Sequence, residues 1–176
     1  PEGELVPADD RWRFAVATEG GAVLSGMCDG PEELVAAAGE RAVTAHDAKA
    51  LRTVPVNLAH DTLLGAYLLD PARRAFPLRE LVEERGLAAA VEDPVAAEAV
   101  LLRELAAWQR EKIEERGLTH LLTEIELPLV PVLLDMEQAG VAIHSAMLAS
   151  FSQVCRIRSR PPQDNTIRII ILDEAF

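Results

Sequence analysis

The sequence predicts an α/β protein in which helices pack on a small sheet, and three observations carry that prediction. Nearly half of the 176 residues are apolar (49%), yet there are only two Trp, one Tyr and four Phe, so the core must be built from Ala, Val and Leu. A stretch near the N-terminus has the two-residue period of a strand. Most of the remainder falls into apolar repeats at helical spacing, punctuated by Pro and Gly.

The elements follow in order. Residues 1–10, PEGELVPADD, are acidic, hold two prolines and read as a linker. In RWRFAVATEGGAVLSG, Trp12, Phe14 and Val16 alternate with Arg11, Arg13 and Ala15, and Gly20-Gly21 turns the chain toward a returning arm, AVLSG. DGPEELVAAAGE reads as a helix capped near Asp29 or Gly30, with Pro31 in the first turn and Glu32 and Glu33 at the positive end of the dipole. AVTAHD is a short strand and AKALRTV a brief helix before Pro55.

In HDTLLGAYLLDP, residues 60–71, Asp61 precedes a run in which Leu64, Tyr67 and Leu68 share a face, and Asp70-Pro71 ends it. An Asp in that position caps a helix, a contribution of about 1 kcal/mol, so His60-Asp61 reads as a cap and its neighbour rather than a reactive pair. FPLRELVEERGL is a further helix stopped by Gly86. A long helix spans about Pro94 to Arg116, with Leu101, Leu102, Leu105, Ala106, Trp108 and Ile113 on one half and charged residues on the other, and Gly117 stops it. The segment from Thr119 onward is helical, divided or kinked by Pro128 and Pro131 and closed by Gly140. The tail SRPPQDNTIRIIILDEAF changes character, from a Pro-Pro turn to an apolar strand ending in acids.

Charge narrows the function. The net charge is −12, from 29 acidic and 17 basic residues, so the chain as a whole repels a phosphate backbone. Nucleic-acid contact then needs a local patch or other parts of a longer polypeptide. The densest basic cluster is Arg156, Arg158 and Arg160, on one side of an extended segment, where a solvated strand face is the plainer reading. The two cysteines, Cys28 and Cys155, match no metal-ligand spacing, which suits a reduced, cytoplasmic setting. No stretch has the ~20 apolar residues that cross a bilayer, so no membrane is expected as a partner. The N-terminus lacks an initiator Met and a signal pattern and reads as that of an excised piece.

Three segments, in order, resemble the proofreading-exonuclease region of bacterial DNA polymerase I, a family-A polymerase. AHDAKAL (45–51) resembles its His-Asn-x-Lys-x-Asp segment, and DTLLGAYLLDP (61–71) its Asp-Thr-Met-Leu-x-x-Tyr-Leu-Leu-x-Pro segment. EIELPLVPVLLDMEQAGVAIH (124–144) is similar to the helix that opens the polymerase domain, with Glu126, Pro128, Leu129, Val132, Leu133, Met136, Glu137 and Gly140 at the family's spacing. The resemblance covers roughly residues 11–148. It implies an RNase H-like mixed sheet flanked by helices, and a division into linker 1–10, exonuclease-like domain 11–118, the start of the polymerase domain at 119–149, and a divergent tail 150–176.

Catalytic residues of that family do not carry over. Such exonucleases hold two divalent metals, Mg²⁺ in an active relative, on four carboxylates. The Asp-x-Glu of the first strand has no counterpart here, and the chain reads as beginning after it. The carboxylate of the second segment falls on Leu51; the family's Tyr-x-x-x-Asp falls on Asp93 and Ala97. The resemblance therefore implies a degenerate domain with no metal or other cofactor of its own. It would act as a scaffold between neighbouring 5′-nuclease and polymerase domains, meeting DNA through the parent polymerase in replication and repair. Two rivals stand beside it: an active 3′→5′ exonuclease using Asp47, Asp61 and Asp93 as ligands, and an independent interaction module in which residues 124–148 pack back on the domain.

Other motifs are weaker. Two His-Asp dipeptides, His46-Asp47 and His60-Asp61, fit a metal-dependent phosphohydrolase pattern, but that fold is all-helical; capping and surface histidines are the plainer reading, as for His120 and His144. IRIIILDEAF resembles a Walker B strand delivering Asp173 and Glu174, without the phosphate-binding loop such a site needs. His144 stands where the family has Asp, and the tail fits a divergent terminus, a truncated or frame-shifted reading, or a fusion equally well.

Overall fold

The computed structural model describes residues 11–139 and the backbone of 166–172. The 1–10 linker, Gly140, His144, Cys155, the Arg156–Arg160 cluster and Asp173-Glu174 lie outside the described residues. Strands β1 (Trp12–Thr18) and β2 (Val23–Cys28) form the expected antiparallel hairpin, with Trp12 opposite Cys28. Helix α1 spans Pro31–Ala38 and β3 Ala42–Ala45. A 3-10 turn covers Ala48–Leu51 where a brief helix is expected. Strand β4, Leu58–Asp61, runs directly into α2, Thr62–Leu69. Helices α3 (Leu78–Glu83) and α4 (Pro94–Glu115) follow, then α5 (Thr119–Leu121), a π-helical turn (Leu122–Glu126) and α6 (Leu127–Gln138).

The fold is α/β, as the sequence predicts. One five-stranded sheet has the order β2-β1-β5-β3-β4, where β5 is Thr166–Leu172. β5 pairs parallel to β1 and antiparallel to β3, so a strand from the end of the sequence joins two otherwise unpaired halves. Its last residue, Leu172, lies opposite Ala42, at the end of the sheet away from Ala45 and Asp61.

Both faces of β1 are covered at its centre. Val16 joins the main apolar core, whereas Ala15 and Ala17 pack with Val95 and Ala99 in a smaller one. Small side chains there let α4 lie close to the sheet. Gly117 ends α4 at φ +67, a left-handed conformation that a side chain disfavours. The chain then bends by 118° into the 119–138 run. The break in that run is the π turn, placed just before Pro128; Pro128 itself sits in the first turn of α6, where its missing N–H is no loss, and Pro131 lies inside the helix. Leu122, Leu127 and Val130 enter the same core as α2 and α4. No single helix among the described residues is long and apolar enough to cross a membrane.

Candidate functional site

Parallel pairing of β3 and β4 sets Thr44 beside His60 and Ala45 beside Asp61. Both His-Asp dipeptides therefore emerge at the carboxyl ends of adjacent parallel strands, the edge of an α/β sheet where ligand sites gather. Their four side chains then take different paths.

Asp61 turns into backbone amides. Its Oδ1 accepts from Asp47 N (3.1 Å), Leu63 N (2.8 Å) and Leu64 N (3.4 Å), and its Oδ2 accepts from Ala48 N (2.7 Å). One carboxylate thus caps α2 and also anchors the 48–51 turn. Burial pushes this carboxyl up from its ordinary value, and the amide bonds pull it back.

Asp47 precedes that turn in the left-handed region, φ 57. Burial and the neighbouring Asp61 carboxylate raise its pKa to about 7, against Lys49 and the Ala50 N–H. Lys49 reaches across to Glu137 of α6, with Nζ 2.6 Å from Oε1. Glu126 is half-buried, and desolvation raises its pKa as well. Asp47, Lys49, Asp61 and Glu126 line one open pocket of about 410 Å³, including its mouth, whose apolar walls are Leu63 and Leu64 from α2 and Val130 and Leu133 from α6.

The histidines point elsewhere. His46 Nδ1 lies 2.9 Å from the Thr62 hydroxyl. His60, expected near a surface cap, is fully buried instead: its Nε2 is 2.9 Å from Gln109 Oε1, while Gln109 Nε2 donates to Thr62 O at 2.9 Å. Because the Gln109 amide is oriented by Thr62, His60 Nε2 carries the proton. Burial lowers the pKa of His60 to about 4, so the ring is neutral and structural. His120 is exposed, as expected of a surface residue.

The remaining candidates are scattered. Leu51 is 8% exposed and belongs to the main core. Asp93 caps α4 through Val95 N (3.2 Å) and pairs with Arg13 of β1 at 3.0 Å; both contacts, the amide first, hold its pKa low. Ala97 is half-buried in the first turns of α4. Of Asp47, Asp61 and Asp93, only the first two come together. Among the described residues no three His, Cys, Asp or Glu side chains gather as a cation site. The carboxylates that do come together offer little to a cation, because both Asp61 oxygens are committed to amides.

Gln109, and the pairing of Glu137 with Lys49, are what the sequence reading passes over. Gln109 had a signal: it is the polar residue in the stripe formed by Leu102, Leu105, Ala106 and Ile113. The Glu137 pairing had none, because its partner is 88 residues away.

No protein-family model matches the chain, and no solved structure matches it. A curated DNA polymerase I from Bacillus caldotenax is 32% identical over 116 residues, taking in 54% of this chain. The overlap spans only 13% of that polymerase, so the chain is similar to a small part of a DNA polymerase I.

Proposed function

We propose that this chain is the exonuclease-like part of a family-A DNA polymerase, with an RNase H-like sheet that has lost its metal site and serves as a scaffold. The observation that carries the reading is Leu51. A segment resembling a metal-binding motif delivers a buried aliphatic side chain to the core where a carboxylate is required. The similarity to a DNA polymerase I supports the family, and replication or repair, in an intracellular setting with DNA met through the parent protein, is the role that follows. Residues 119–149 open the polymerase domain in this reading, and the 5′-nuclease and polymerase domains are the neighbours that the scaffold holds.

Release of mononucleotides from single-stranded DNA in Mg²⁺ or Mn²⁺ tests it. The expected result is no release above a metal-free control. Release that is abolished by substituting Asp47, Asp61 or Asp93 overturns the scaffold in favour of an active exonuclease.

One observation favours the second reading, an independent interaction module. Leu122, Leu127 and Val130 are buried in the domain core rather than carried on a projecting connector. Limited proteolysis near Gly117 separates the two: a module keeps residues 118–138 bound after cleavage, whereas a connector releases them.

A further inference from the structure

Helix α6 roofs the pocket at the ends of β3 and β4. Val130 and Leu133 of the helix line it together with Asp47. Two polar contacts hold the last turn of the helix to residues 47–52: the Lys49–Glu137 ion pair, and a bond from Gln138 Nε2 to Arg52 O at 3.2 Å. Lys49 is only 12% exposed in its side chain, so this pair is shielded from solvent on one side. Asp47 and Arg52, at the two ends of the turn, both adopt positive φ, 57 and 58.

Charges around Asp47 are mostly of its own sign. It faces Asp61 from β4, Glu126 from the π turn and Glu137 from α6, with Lys49 as the one cation lining the pocket among the described residues. Lys49 is already engaged by Glu137. His46, next in the chain, lies against the Thr62 hydroxyl.

We propose that the 47–52 turn is a proton-operated latch on α6. With Asp47 neutral, Lys49 is left to Glu137 and the helix stays down. An ionised Asp47 competes for Lys49 and repels Asp61, Glu126 and Glu137, and lifting the helix lets water reach the new charge.

The direction is fixed by linkage. With the helix docked, burial and Asp61, and to a lesser degree Glu137 of α6, raise the pKa of Asp47 from 3.8 to about 7. Lifting α6 removes part of that burial and the Glu137 charge. Docking is therefore fully favoured below the lower value, weakens as pH rises between the two, and levels off above about 7. One linked proton sets a ceiling of about tenfold per pH unit. Asp61 stays beside Asp47 in the lifted state, so the slope is shallower than that.

Amide hydrogen exchange on the full chain, corrected for intrinsic rates, reads the latch. The expected result is a fall in protection of residues 127–138, about threefold or more between pH 5 and 7.5, with a smaller change at Leu102, Leu105 and Ala106 of α4. Asp47→Asn, which tolerates positive φ, should abolish the slope and leave α6 docked throughout. His46→Gln should keep it. A flat or rising profile for α6 in the unaltered chain overturns the latch, as does an equal fall in α4 or a slope that survives in Asp47→Asn. Should that variant fail to fold, the comparison of α6 with α4 in the unaltered chain still decides.

Discussion

His60 Nε2 and Gln109 Oε1 meet at 2.9 Å in the interior, where neither residue has any exposed surface. This contact joins β4 to α4 across 49 residues, and the other arm of Gln109 holds the first turn of α2 through Thr62 O. Three elements are thus fixed in one register. The arrangement requires a neutral imidazole, because a buried positive charge there has no carboxylate to answer it.

Acid should therefore loosen the protein through His60. Its pKa is lowered from 6.5 to about 4 in the fold. Stability from this group is complete above 6.5, falls as pH drops below that value, and is exhausted below about 4. The displacement corresponds to roughly 3 kcal/mol. Asp47 works in the opposite sense over an overlapping range, so the share of His60 is read by difference. Urea unfolding of the unaltered chain and of His60→Leu at pH 7 and pH 4 should show the loss on acidification shrinking in the variant, despite its lower stability at pH 7. An unchanged acid loss in His60→Leu removes the assignment.

Gly65 leaves the room that this contact needs. A Cβ at that position would lie 2.6 Å from Gln109 Oε1 and 3.1 Å from His60 Nε2. In an ordinary helix interior Gly→Ala gains about 1 kcal/mol. Here Gly65→Ala should cost about 1–3 kcal/mol, because the carboxamide is driven off its partners. Combining it with Gln109→Ala should cost less than the sum of the two, and thermal melts of the four proteins measure the coupling. Additive costs mean that the crowding is not at Gln109.

Leu51 tests the proposed loss of a metal site. Leu51→Asp puts a carboxylate into the core with no cation beside it, at a cost of about 3 kcal/mol or more. Since both Asp61 oxygens are held by amides, the new carboxylate does not complete a site. The melting temperature of Leu51→Asp should fall and should not recover in millimolar Mg²⁺ or Mn²⁺. A rise of several degrees on adding the ion, absent from the unaltered chain, would mean that the remaining ligands are in place after all.

How far the sequence speaks for itself differs between elements. α4 was legible because its stripe and Gly117 stop agree, and the 12–28 hairpin because its alternation is long enough to count. β4 was missed: four residues, two of them titratable, give no apolar period, and what allows His60 and Asp61 inside is Gln109 and the backbone amides of the 48–51 turn and the start of α2. The strand character of the tail was legible, but its place at the centre of the sheet was not, since its partners β1 and β3 lie near the other end of the sequence and such pairing leaves no local trace. At the site, the cap at Asp61 follows from local spacing, whereas the Lys49–Glu137 bridge exists only once α6 has folded back.

The two oxygens of Asp61 make unequal claims on that cap. Oδ1 serves Asp47, Leu63 and Leu64, and Oδ2 serves Ala48 alone. Asn keeps one carbonyl oxygen, so Asp61→Asn retains the three bonds at Oδ1 and turns an NH₂ group against the Ala48 N–H, a cost of about 1–2 kcal/mol. Asp61→Ala leaves all four donors, most of them buried, without a side-chain acceptor; the cost should reach about 3 kcal/mol or more. Urea unfolding at neutral pH should rank the unaltered chain above Asp61→Asn, and Asp61→Ala last. If Ala is tolerated as well as Asn, the amide bonds do not hold the 48–51 turn to α2, and the carboxylate has some other reason to be buried there.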